Sequence, residues 1–229
     1  MKRARMAAIA VGAALAPAFA SSNARNARAD EHSVPVLEAA RKIDTAYGRI
    51  DGDMAALAGV GVTFGPRSPR AAADLRLRYL QTAGIFATYE DGPLASAKSD
   101  PRRIVAFGVE LRPLFFARWL EGMELGVPRI DLAIDSFGLE LGAVFMQPEG
   151  SAFGARPGLQ AGIGFDLPIF SKATGPMLSV HAGCRFSDHA LAGDELTGPS
   201  DRSLYFNVLA SWQQIFGAHV VDLGDRPPR

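Results

Sequence analysis

The stretch "AADLRLRYLQ", residues 72–81, decides the fold class of this chain because its hydropathy alternates from one residue to the next. The apolar positions within it are Leu75, Leu77 and Tyr79. The charged positions between them are Asp74, Arg76 and Arg78. Successive side chains of a β-strand point to opposite faces, so a period of two predicts an extended strand with one apolar face and one ionic face.

The same period recurs through most of the 229-residue chain, in stretches separated by turn-forming segments such as "GPRSPR" and "SKATGP". The eight stretches span residues 55–64, 72–80, 84–91, 103–112, 137–147, 157–168, 176–187 and 202–213. The interval 113–136 breaks the alternation and predicts one or two short helices. Within it, Asp131 and Asp135 lie four residues apart, a spacing that lets them share one face of a helix.

The N-terminus predicts export. Lys2, Arg3 and Arg5 precede an apolar run of about 15 residues that ends in Ala18-Phe19-Ala20, the pattern of a signal peptide. A membrane-spanning helix needs about 20 apolar residues. Further on, residues 35–48 repeat apolar side chains at helical spacing. We therefore divide the chain into a signal peptide (1–20), a periplasmic lead with a short amphipathic helix (21–53), a barrel (54–216) and a C-terminal tail (217–229).

Alternation alone does not say which face of the strands meets water. On the less apolar face, glycines are mixed with long charged side chains, a combination that suits a narrow lumen. Aromatic residues cluster near both ends of the strands, as in a membrane barrel. The charged members of this face are Asp74, Arg76, Arg78, Glu110, Arg112, Glu140, Asp166 and Arg185. Four are acidic and four are basic, which predicts an ion-pair network inside the barrel.

These features predict an all-β fold, an eight-stranded antiparallel transmembrane β-barrel with a short N-terminal helix. The chain resembles the small eight-stranded outer-membrane barrels, the OmpA/OmpX-like and opacity-like class. The resemblance covers about residues 55–213 and depends on the signal peptide, on strands such as "ADLRLRYL" and "GLQAGIGFDL", and on the aromatic strand ends. It implies an outer-membrane location, membrane lipid as a partner and insertion by the barrel insertion machinery.

Two groups of residues are candidates for chemistry. Ser179 and His181 share one strand face and slightly resemble the serine and histidine of outer-membrane lipid A deacylases, although their order and their lumen-facing position differ. Five basic residues fall in the first two predicted outer loops, and guanidinium groups suit phosphates, so contact with lipopolysaccharide is a hypothesis for them. They are Arg67, Arg70, Lys98, Arg102 and Arg103.

Other chemistry finds no support in the sequence. The four histidines lack metal-ligand spacing, and we predict no metal and no cofactor. No basic stripe predicts nucleic acid as a partner. The single cysteine, Cys184, excludes an intrachain disulfide. The first hypothesis is a structural or surface-interaction protein of the outer membrane with its lumen closed by ion pairs. The alternatives are a narrow small-solute channel, a lipid-modifying enzyme and a soluble periplasmic lipid carrier.

Overall fold

The computed structural model describes residues 47–65, 68–94, 101–148, 150–193 and 201–218. The strands are β1 (Met54–Phe64), β2 (Arg70–Tyr79), β3 (Ala83–Asp91), β4 (Arg103–Leu111), β5 (Gly138–Gln147), β6 (Gly158–Pro168), β7 (Gly175–Phe186) and β8 (Arg202–Phe216). The helices are α1 (Leu114–Leu120), α2 (Pro128–Asp135) and α3 (Asp188–Ala192). The predicted signal peptide, residues 35–46 of the predicted helix and residues 219–229 of the tail lie outside these ranges.

The eight strands form one closed antiparallel sheet. Each strand pairs with the next along the chain, and β8 returns to pair with β1, with Met54 opposite Phe216. Closure leaves no strand edge unpaired, whereas the edge strands of an open sheet expose unpaired backbone groups. The predicted eight-stranded antiparallel barrel is therefore confirmed. The interval 113–136 forms two short helices, α1 and α2, joined by a loop.

The pleat of the strands separates side chains by polarity. Large apolar side chains point outward and are exposed on every strand. One from each strand, in chain order, is Val60, Leu75, Ile85, Phe107, Leu141, Ile163, Leu178 and Leu204. In β2 the contrast is sharp, because Leu75 is 61% exposed while Arg78 is 1% exposed. The structure therefore places the apolar face outside and the ionic face inside.

Buried apolar side chains form two small clusters within the barrel. We call the end where β1 begins the capped end and the opposite end the far end. Ala55 and Ile215 cluster with Leu132 of α2 and with Ala173 at the capped end. Ile104, Ala106 and Val144 form the second cluster, on the inner face of β4 and β5. In the described ranges, no helix has the length and apolar character needed to cross a membrane.

Candidate functional site

The most distinctive site is a set of charged side chains inside the barrel, which we call the ion cluster. Its members all lie on inward positions of β2, β4, β5 and β6 or directly after β4, and all are buried. They are Asp74, Arg76, Arg78, Glu110, Arg112, Glu140 and Asp166. Because alternate residues of a strand point to the same face, the charged side chains on the inward face of each strand all enter the lumen.

Arg78 lies at the centre of the ion cluster. Its Nε donates to Glu110 at 3.0 Å, its Nη2 to Asp166 at 2.8 Å and its Nη1 to Gln213 at 2.9 Å. These three acceptors belong to β4, β6 and β8, so one guanidinium ties together strands from different sides of the barrel. Charge-assisted bonds of this kind are about twice as strong as neutral ones.

The other two arginines of the cluster extend these contacts to all four carboxylates. Arg76 donates to Asp74 at 2.7 Å and to Glu140 at 2.6 Å, and it lies 3.2 Å from Glu110. Arg112 donates to Glu110 at 2.6 Å and forms an ion pair with Asp166. The contacts are therefore continuous from Asp74 to Asp166 through shared acceptors, and buried charges need such pairing to offset the cost of their desolvation.

Three guanidinium groups meet four carboxylates in the ion cluster, so its formal charge is 3 − 4 = −1. The imidazole of His181 lies beside these carboxylates, which outnumber the arginines, with Nδ1 2.7 Å from Glu140 and Nε2 3.9 Å from Asp166. The space for this ring comes from Gly164 on the adjoining strand. A Cβ at that position would lie 2.2 Å from His181 Nδ1 and 2.8 Å from Glu140 Oε1.

A second buried ion pair lies nearer the far end. Arg185 donates two hydrogen bonds to Glu90, at 2.6 and 3.1 Å, and a third from Nε to Gln160 at 2.7 Å. Its guanidinium also stacks on the Tyr205 ring, 4.0 Å from the centroid. Glu90 is not among the lumen charges predicted from the sequence. Alternation along β3 could have identified Glu90, because it lies two residues after the inward-facing Thr88 and therefore on the same face.

A cap closes the capped end, formed by residues 47–49, α1 and α2. Arg49 forms an ion pair with Asp135, and its guanidinium stacks on the buried Phe115 ring, 4.2 Å from the centroid. From α1, Arg118 donates to Asp131 at 2.7 Å and to Asp135 at 2.6 Å. The two acids four residues apart in α2 thus meet two arginines from elsewhere in the chain.

Asp131 receives further donors that complete its buried environment. Tyr47 Oη donates to Asp131 Oδ2 at 2.9 Å, and the Leu125 N–H donates to Oδ1 at 2.9 Å. Burial alone would raise the pKa of the Asp131 carboxyl, but the bonds from Leu125, Arg118 and Tyr47 outweigh burial and hold the pKa below its ordinary value. Burial and the bond to Asp131 raise the pKa of the Tyr47 phenol to about 12.

The cap is bonded directly to the barrel. Asp166 N–H donates to Oγ of Ser136, which directly follows α2, at 2.9 Å, and Ala173 N–H, in the turn between β6 and β7, donates to the Tyr47 carbonyl at 3.0 Å. Leu132 packs against the inward side chains of Ala55 and Ile215. A cavity of about 20 Å³ remains between cap and ion cluster. It has room for about one water molecule.

The Ser179 and His181 side chains lie inside the barrel, and each is hydrogen-bonded to a different carboxylate. Ser179 Oγ donates to Asp166 Oδ1 at 2.5 Å, whereas His181 contacts Glu140. Both side chains are buried, and among the described residues no hydrogen bond joins them. The arrangement lacks the nucleophile–base contact that hydrolytic chemistry needs.

Of the five basic residues predicted for the outer loops, the structure describes three, and these three have different surroundings. Arg70 is buried and donates to the Pro101 carbonyl at 2.8 Å, because it occupies an inward position of β2. Arg103 lies 3.5 Å from Asp91 in a partly exposed ion pair, and Arg102 is exposed. Arg67 and Lys98 lie outside the described residues.

Within the described ranges, no group of three or more His, Cys, Asp or Glu side chains is arranged to hold a metal ion. No family model matches the chain, and no curated protein sequence matches it either.

Proposed function

We propose that this protein is an outer-membrane β-barrel with a sealed interior, and that it has a structural or surface-interaction role. The observation that carries the proposal is the division of side chains by polarity, with leucines, valines and aromatics outside and paired ions inside. A closed barrel leaves no backbone group unpaired in hydrocarbon, where each would cost several kcal/mol.

The outer surface favours lipid over water as its surroundings. Exposed apolar patches of soluble monomers rarely exceed a few hundred Å². Here large apolar side chains are exposed on all eight strands, from Val60 on β1 to Leu204 on β8. A soluble lipid carrier would require the opposite arrangement, an apolar cavity inside and a polar surface outside.

The interior favours a closed barrel over a channel. The ion cluster crosses the lumen between β2, β4, β5 and β6, and the cap covers one end with buried side chains such as Phe115 and Leu132. Each charged group of the cluster lies at hydrogen-bond distance from a group of opposite charge, so none is left unpaired to select a solute. The inward position of Ser179 and His181 also argues against an enzyme that acts on acyl chains at the outer surface.

Gel migration of the detergent-extracted barrel, with and without boiling, tests the proposal. We expect the unheated barrel to stay folded and to run at a different position from the boiled chain. A matched pair of variants then separates lipid from water as the outer medium. Leu75, in mid-strand, and Leu125, in the loop between α1 and α2, are both 61% exposed.

In a bilayer, Leu75→Arg should destabilise the barrel by about 2–4 kcal/mol, because mid-membrane arginine costs that much, and Leu125→Arg should cost about 0–1 kcal/mol. If the surface faces water, both substitutions should have equally small effects. Equal unfolding midpoints for the two variants in lipid vesicles, or identical migration of boiled and unboiled protein, would refute the membrane assignment.

A further inference from the structure

The outer face of the barrel carries an open groove near the far end. It has a volume of about 1020 Å³, at the upper limit of typical ligand sites. Small side chains of β6 and β7 form its floor, and larger apolar side chains of β8 and β1 flank it. The floor includes Ala161, Ala182 and Cys184, and the flanks include Leu204, Phe206 and Phe64.

Strand register explains why the groove lies at this position. Ala161 pairs with Cys184, so two small outward side chains adjoin each other. The inward neighbours Gly162 and Gly183 are paired as well, which leaves the wall only a backbone thick. Tyr205 closes this thin wall from inside, because a Cβ on Gly162 would lie 2.5 Å from its Oη.

A positive charge lies at one end of this apolar groove. Arg202 begins β8 at the far end and lines the groove with an exposed side chain. It shares the outward face of β8 with Leu204 and Phe206. No ion pair joins Arg202 to another residue of the described ranges. An apolar trough that ends in a guanidinium is complementary to an amphiphile with an anionic head and a hydrocarbon tail.

We propose that this groove binds one lipid molecule with an anionic phosphate headgroup. Its acyl chain lies along Ala182 and Cys184, and its phosphate accepts hydrogen bonds from Arg202. This inference rests on the proposed membrane location, because the groove then faces acyl chains. A second copy of the chain is the rival occupant. The phosphate is favoured because it pairs the Arg202 charge, which an apolar protein surface would leave desolvated and unpaired.

Cys184 provides a native reporter, since it is the single cysteine of the chain and lines the groove. The barrel is reconstituted into vesicles of phosphatidylcholine alone or mixed with phosphatidylglycerol, and alkylation of Cys184 by a membrane-permeant maleimide is timed. Bound lipid shields the thiol and lowers the reactive fraction by the factor 1 + [L]/Kd, about tenfold when lipid exceeds the Kd about ninefold. We expect slower alkylation in the phosphatidylglycerol vesicles.

Two variants and one control locate the effect. Arg202→Gln should abolish the difference between the vesicles, and Arg202→Lys should restore part of it. Arg103→Gln removes a partly exposed arginine from the same end, on β4, and should leave the full difference. Arg202→Gln also controls for the negative surface of the vesicles, because an effect of that surface on thiol reactivity would persist in this variant.

The outcomes separate this proposal from the one it rests on. Failure of the barrel to insert, judged by gel migration without boiling, would overturn both. Normal insertion with equal alkylation rates in the two vesicles would overturn the lipid site alone. Protection that depends on protein density, together with oxidant-induced Cys184–Cys184 dimers, would assign the groove to a second copy of the chain and would also overturn it.

Discussion

Removing Arg78 is the most direct test of the ion cluster. Its guanidinium is buried and donates to Glu110, Asp166 and Gln213. In Arg78→Met the formal charge of the cluster changes from 3 − 4 = −1 to 2 − 4 = −2, while the carboxylates stay buried. Breaking a buried pair by removing one partner costs about 3–5 kcal/mol.

Urea unfolding of the barrel in vesicles, followed by far-ultraviolet circular dichroism, measures this cost. With a urea m-value of about 2 kcal/mol per molar, the midpoint should fall by about 2 M. Arg103→Met is the matched control, because Arg103 and Asp91 form an ion pair that is 38% and 45% exposed. Exposed pairs contribute about 0–1 kcal/mol, so the midpoint of this variant should hardly move.

A double variant tests whether charge imbalance is the cause. In Arg78→Met with Glu110→Gln the formal charge of the cluster returns to 2 − 3 = −1, and we expect part of the lost stability to return. Coupling between contacting residues is typically about 0.5–3 kcal/mol. The reasoning fails if the Arg78 variant is no less stable than the Arg103 variant, or if the double variant is no more stable than Arg78→Met alone.

Four further predictions concern the glycine at the lumen wall, the cap in acid and in alkali, and the sealed interior. Gly164→Ala should cost about 1–3 kcal/mol by overpacking against the imidazole, whereas Gly154→Ala, whose Cβ meets no atom within 3.6 Å, should be neutral in the same urea titration. The lowered pKa of Asp131 contributes cap stability above its unfolded pKa of about 3.9 that is lost as pH falls through the folded pKa. The protection factors of the α2 amides, which correct for the slower intrinsic exchange in acid, should therefore fall in acid, and at a higher pH in Tyr47→Phe; the same acid midpoint in both proteins would contradict the contact. The raised Tyr47 pKa adds stability that is complete below about pH 10 and lost as pH rises through about 12, which the same urea titration repeated at alkaline pH would show. In planar bilayers the intact barrel should give no discrete conductance steps, and regular steps would refute a sealed lumen.

The side chains that share a face of each strand follow from the sequence with little ambiguity. In β2 the period of two places Asp74, Arg76 and Arg78 on one face whatever the medium, because the pleat is a property of the backbone. Alternation assigns Glu140 and Asp166 to the less apolar faces of their own strands in the same way. The charged face could therefore be read residue by residue, as could the number of strands.

The partners of these charges could not be read in the same way. Arg185 pairs with Glu90, 95 residues earlier in the chain, and Arg49 pairs with Asp135, 86 residues later. Which side chains meet across a lumen depends on strand register and on barrel closure, which alternation does not encode. Arg70 shows the same limit, because where β2 begins decides whether this side chain points into the barrel or belongs to a loop.

The sequence by itself determined that this protein has eight alternating strands, and which residues share a face on each. Only the tertiary structure decided that the ionic face points inward, because alternation is symmetric and is equally compatible with a core of leucines or of arginines. The closed sheet removes this ambiguity physically. It brings three guanidinium groups within hydrogen-bond distance of four carboxylates in the interior, and it leaves the leucines outside.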